Sequence, residues 1–287
     1  MQGPIAQIIA LTIYGNSIFQ GHFTNIEEFF PSNSTFTFCE YVRFVDVKGK
    51  EEKLYAENPI LWFRKLKDEG VFAFRLIYGP SGNKDISDRM SVGFVGGGGR
   101  WLIETISPNG SDYWEARWEV GDQNHPDKLI WQVTYGRVMS GEKTFISQGL
   151  EGSKIKAELS DNLREISKFA RKNELEGFAA AFDKGYVALH SENPYSHVSH
   201  KDISPENFLD LEANQLLAAS QAAWVFGGMG SWNDMGFDGE DQVEYDSLSD
   251  TLYRLLNESY LMAANSKVEI DQKAINKKSR NWWEIWK

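Results

Sequence analysis

From Val71 to Arg137 apolar and polar positions alternate in short runs broken by turn residues: VFAFRLIYG, RMSVGFV, RWLIETI, YWEARWEV and KLIWQVTYGRV. A period of two is the spacing of a strand with one buried face, so five strands are expected here. The alternation is cleanest where Trp114, Ala116, Trp118 and Val120 fall on one parity and Glu115, Arg117 and Glu119 on the other. The connections GPSGNKDISD, GGGG, SPNGSD and GDQNHPD are short, which favours antiparallel neighbours in a meander. Upstream, AQIIALTIYG is expected as a buried strand. STFTFCEYVRFVDV is expected as another, with Phe36, Phe38, Val42 and Phe44 on one face. Between them and the meander, ENPILWFRKLKDEG has the marks of a helix: Asn58 as cap, Pro59 at the first position and Gly70 as the stop.

After Gly149 the period changes. Ile155, Leu159, Leu163, Ile166 and Phe169 recur at helical spacing, as do Leu175, Phe178, Phe182, Tyr186 and Leu189. A third helix is expected over SPENFLDLEANQLLAASQAAWVF, opened by Ser204 and Pro205. The fourth is expected over 238–264, with Val243, Leu248, Leu252, Leu255 and Met262 inward. The fold class that follows is α+β: an N-terminal antiparallel meander with one helix over 1–149, a helical half over 150–266, and a basic, tryptophan-rich tail over 267–287.

Charge sharpens this division. The 287-residue chain has a formal net charge of −11, and residues 151–266 hold 9 Lys+Arg against 20 Asp+Glu. No Lys, Arg or His occurs between Lys201 and Arg254, while eleven acids do. Such a surface repels phosphate backbones, so direct nucleic-acid binding is not expected and a basic protein partner is the natural complement. A single cysteine, Cys39, excludes an intramolecular disulfide and a cysteine-rich zinc site. The apolar start lacks a basic leader and is too short to span a bilayer. A soluble chain in the reducing cytoplasm, without membrane association, is the expectation.

Candidate chemistry is sparse. In WVFGGMGSWNDMGFDGED the glycines are those of a turn between helices, but Asp234, Asp238, Glu240, Asp241, Glu244 and Asp246 exceed what a helix N-terminus needs. With Trp232 and the tail's Trp282, Trp283 and Trp286 they are the candidate binding residues. HSENPYSHVSHKD brings His190, His197, His200 and Asp202 into one segment, a candidate ligand set for a metal that would activate water. No Walker A sequence, strand-to-helix GxGxxG or G-x-S-x-G elbow is present, and no cofactor is indicated. Two functions follow: a non-catalytic acidic protein-binding module of immunity- or adaptor-like character, or a metal-assisted hydrolase built on the histidine loop.

Overall fold

The computed structural model describes residues 1–81, 85–94, 97–142 and 150–269. The first element corrects the sequence expectation: the apolar start is a helix, α1 (Gly3–Phe19), not a strand. Every residue from Ile5 to Ser17 is buried, so the segment has no solvent face and carries no clear period to separate helix from strand. Pro4 sits in its first turn, where the missing N–H costs nothing. Ser34–Phe36 is a 3₁₀ turn, and β1 (Cys39–Lys48) starts after it. Val42 and Phe44 face the core as expected, whereas Phe38 lies before the strand and is exposed.

β1 forms a hairpin with β2 (Glu51–Ala56), and α2 (Pro59–Asp68) follows, its first turn capped by the Asn58 side chain, which accepts from Leu61 N at 2.9 Å. Next come β3 (Ala73–Gly79), a short α3 (Asp88–Ser91), β4 (Arg100–Ser107), β5 (Gly110–Val120) and β6 (Trp131–Glu142). RMSVGFV, expected as a strand, is therefore α3 and the turn after it. Met90, Val92 and Phe94 alternate as a strand would, but the Ser87 side chain caps a helical turn by accepting from Met90 N, a contact that alternation alone does not reveal.

The six strands form one sheet in the order β2-β1-β6-β5-β4-β3. Strands β3 to β6 are the antiparallel meander that the short connections imply. The whole sheet, however, is mixed, because β1 pairs with β6 in parallel, from Cys39↔Trp131 to Asp46↔Arg137. The reason is topological: β2 and β3 lie at opposite edges of the sheet, and α2 lies between them in the chain. The meander that starts at the far edge returns to meet β1 with its last strand.

The β3 edge is closed by two amides. Asn16 of α1 accepts from Phe74 N and donates to Phe74 O, both at 2.8 Å. Asn265, at the end of the last helix, does the same to Leu76, at 2.7 and 2.9 Å. Each side chain stands in for a neighbouring strand, so an edge that would otherwise offer unpaired backbone groups is satisfied within the chain. Gly15 lets α1 come this close: a Cβ there would lie 2.8 Å from the Phe74 ring. On the other face of the sheet Arg75 Nε donates to Glu104 Oε2 at 2.6 Å, and the Tyr113 hydroxyl donates to Oε1 at 3.2 Å.

The second half is helical, as its period implies: α4 (Gly152–Lys172), α5 (Glu176–His190), α6 (Leu211–Ala222) and α7 (Gly239–Asn265). The five inward residues expected in α4 are all buried. Helix α6 begins later than Ser204, because Asp210 supplies the cap by accepting from Ala213 N at 2.9 Å. Val243, expected inward on α7, is 70% exposed. Two apolar clusters result, one under the sheet around α1 and one among the helices, and α6 and α7 contribute to both. Trp224, Tyr195 and Met262 pack against each.

Candidate interaction surface around Arg89

The glycine-rich loop between α6 and α7 is firmly held. Trp232 is completely buried, donates from Nε1 to Ser249 Oγ at 2.7 Å, and lies edge-on to Phe178 and Phe182. Its carbonyl accepts from the Tyr245 hydroxyl at 2.6 Å. Trp232 therefore belongs to the helical core and offers nothing to a partner.

Three segments meet at Arg89, which is buried although charged. Its Nε reaches Asp250 at 2.6 Å and its Nη2 reaches Asp246 at 3.0 Å, with the guanidinium 5.5 Å from the Tyr245 ring centre. Its carbonyl accepts from Asn233 Nδ2 at 2.7 Å. Helix α3, the loop and the first turns of α7 are thus tied together by one side chain and its peptide. Gly93 completes the junction by lying against the Gly227 and Gly228 backbone, where a Cβ would come within 2.2 Å of Gly227 O.

The candidate carboxylates divide into two groups. Asp246 serves Arg89. Asp241 pairs with Lys172 at 2.6 Å, and Glu244 stands 3.9 Å from the same ammonium. Asp234, Asp238 and Glu240 are exposed and make no ion pair among the described residues; Asp234 accepts from the Gly230 N–H. The acids earlier in the cation-free segment lie elsewhere: Asp210 caps α6 and stands 3.6 Å from Lys267, beyond the far end of α7. Helix α7 has 27 residues and so is roughly 40 Å long. One stretch of sequence without cations thus yields separate acidic regions. Trp282, Trp283 and Trp286 lie outside the described residues.

The histidine segment is divided in a similar way. His190 ends α5, with Nε2 3.0 Å from Ser160 Oγ of α4 and its ring against Tyr186. Burial, then the nearby Lys156 and Arg164, push its pKa below the ordinary histidine value. His197 closes a 3₁₀ turn, Pro194–His197, and its side chain lies outside what is described. His200 Nδ1 lies 2.9 Å from Ser34 Oγ, and Asp202 bonds Ser34 twice, through the hydroxyl and through the backbone N–H at 2.7 Å. Among the described residues no three His, Cys, Asp or Glu side chains gather as a metal ion requires.

Ser34, His200 and Asp202 invite a nucleophilic reading, and the hydrogen bonds argue against it. An acyl transfer needs free N–H donors where the oxyanion develops. Here the Ser34 N–H is held by Asp202 and the Thr35 N–H by Asn33 Oδ1. The Asp202 carbonyl accepts from Tyr14 and Asn33 as well. The cluster joins the turn after α1 to the loop before α6. Cys39 is no better a nucleophile, since burial pushes its thiol up to about 11 against the opposing hydrogen bond from Gln7.

Around Arg89 the structure also exposes apolar side chains that the sequence reading passed over. Phe94 is 75% exposed and Met229 is fully exposed. Each follows a glycine of the Gly93–Gly228 contact, in GF and GGMG, a large apolar residue beside glycines. That juxtaposition is the available signal, although alternation assigns Phe94 to a strand and the glycines around Met229 to a turn. No protein-family model, no curated protein and no solved structure matches the chain.

Proposed function

We propose that this chain is a non-catalytic acidic protein-binding module, immunity- or adaptor-like in character, that docks a basic protein at the start of α7. The observation that supports the reading is the set of exposed carboxylates Asp234, Asp238 and Glu240. They remain outside ion pairs among the described residues, while their neighbours Asp241, Glu244 and Asp246 face cations. Charges outside ion pairs are free to steer and orient a partner of opposite sign. The test is capture of partners from native lysate at low and high salt, with Asp234→Lys, Asp238→Lys and Glu240→Lys combined in one variant. A basic partner held by the native chain, released by salt and absent from the variant bears the reading out. Capture that survives the triple reversal sinks it.

A further inference from the structure

The docking face has an apolar centre as well as an acidic border. Phe94 and Met229 flank the point where Gly93 lies on the Gly227–Gly228 backbone, one from each side of the contact. Glu240, Val243, Asp246 and Asp250 follow one stripe of α7, at helical spacings of three to four residues. The lower part of that stripe holds Arg89. The upper part, Val243 and Glu240, runs on past the junction into solvent, with Val243 exposed. Asp234 follows directly after Asn233, which holds the Arg89 carbonyl, and bonds the N–H of Gly230 next to Met229. Phe94, Met229 and Val243, with Asp234 and Glu240, thus lie on the three segments that meet at Arg89.

Large exposed apolar side chains on segments that meet at one junction, with charge of one sign beside them, are the make-up of a contact site. The junction beneath them is held by the Arg89 ion pairs, the Asn233 hydrogen bond and the Gly93 contact, which limits the backbone freedom lost when it is covered. A second copy of this chain is a poor occupant, because it brings the same acids to a chain of net charge −11. Charge complementarity selects a cation.

We infer that Phe94, Met229 and Val243 form an apolar anchor site, bordered by Asp234, Asp238 and Glu240, for a cationic segment of a partner protein that carries a hydrophobic side chain among its lysines or arginines. This inference rests on the basic-partner reading and adds the anchor to it. Titration calorimetry of the full chain with three synthetic peptides of equal length tests it: one of leucine and lysine at helical spacing, one of serine and lysine with the same charge, one of leucine and glutamate.

The leucine–lysine peptide is expected to bind at least about tenfold tighter than the serine–lysine peptide, and the leucine–glutamate peptide not at all. Phe94→Ser with Met229→Ser should weaken the leucine–lysine peptide by on the order of tenfold and leave its salt dependence intact. Asp234→Asn, Asp238→Asn and Glu240→Gln together should weaken both lysine peptides and flatten the salt dependence. These substitutions are on the surface, and unchanged thermal unfolding confirms that the fold is intact. If the serine pair leaves the leucine–lysine peptide unaffected, the anchor is refuted while the acidic dock survives. If the amide triple leaves both lysine peptides unaffected, the acidic dock itself fails. Peptide binding that appears or tightens several-fold on ending the chain at Glu269 would make residues 270–287 the occupant and overturn an external partner. Self-association in sedimentation that is abolished by the serine pair would overturn it in favour of a second copy.

Discussion

Asn16 gives the most direct test of how the β3 edge is closed. It satisfies both backbone groups of Phe74 on the open side of β3, with two bonds of 2.8 Å, and both residues are buried. Asn16→Ala strands one N–H and one C=O, each costing about 1–3 kcal/mol when left unmade, so the gross loss is about 2–6 kcal/mol. Alanine returns roughly half a kcal/mol through helix propensity, and a water entering the vacated polar space would place the result at the lower end. Asn16→Leu fills that space without supplying a donor or acceptor, so it should cost at least as much as Asn16→Ala. Asn265 makes the same pair of bonds to Leu76 from a half-buried position. Solvent can replace its amide, and Asn265→Ala should cost about 1–2 kcal/mol. The assay is urea unfolding at constant slope, with hydrogen exchange read at the Phe74 amide. A loss below about 1 kcal/mol for Asn16→Leu, with Phe74 still protected, would refute the argument.

Other expectations follow from individual contacts. Gly15→Ala should destabilise despite its gain in helix propensity of about 1 kcal/mol, because Phe74 is wedged against Phe19, Trp62 and Phe63 and cannot retreat. A rise in unfolding temperature would contradict this. Arg75→Met leaves the wholly buried Glu104 without its cation and should cost about 3–5 kcal/mol, while Arg75→Met with Glu104→Met should recover most of it. Equal losses for the single and double variants in urea unfolding would show that the ion pair is not what the site needs. Burial, then the Met1 amino group, holds His200 below the ordinary histidine value of ~6.5, with Asp202 opposing. A lowered folded-state pKa gives stability that is fully present above about pH 6.5 and lost as pH falls below it. His200→Gln should therefore flatten part of the acid-side decline measured by urea unfolding between roughly pH 6.5 and 5, and an unchanged slope would dismiss the effect.

Local chemistry wrote much of this protein into its sequence. The cap at Asn58, the strand state of the alternating run in β5 and the 3.6-residue period that buries one face of α4 are each legible because one residue's neighbours settle its state. The acids of the 234–246 segment were likewise visible as a local excess of charge. Tertiary structure decided what has no local signature. The segment from Ile5 to Ser17 is buried on every side, so no solvent-facing period marks it as a helix. The parallel pairing of β1 with β6 depends on strands far apart in the chain meeting in space, as at Val42↔Val133. Which carboxylates are paired depends on where Arg89 and Lys172 arrive from distant elements. A pattern of one residue against the next fixes secondary structure; pairing of charges, strands and buried amides is a long-range choice, made when the packed chain leaves each polar group one partner or none.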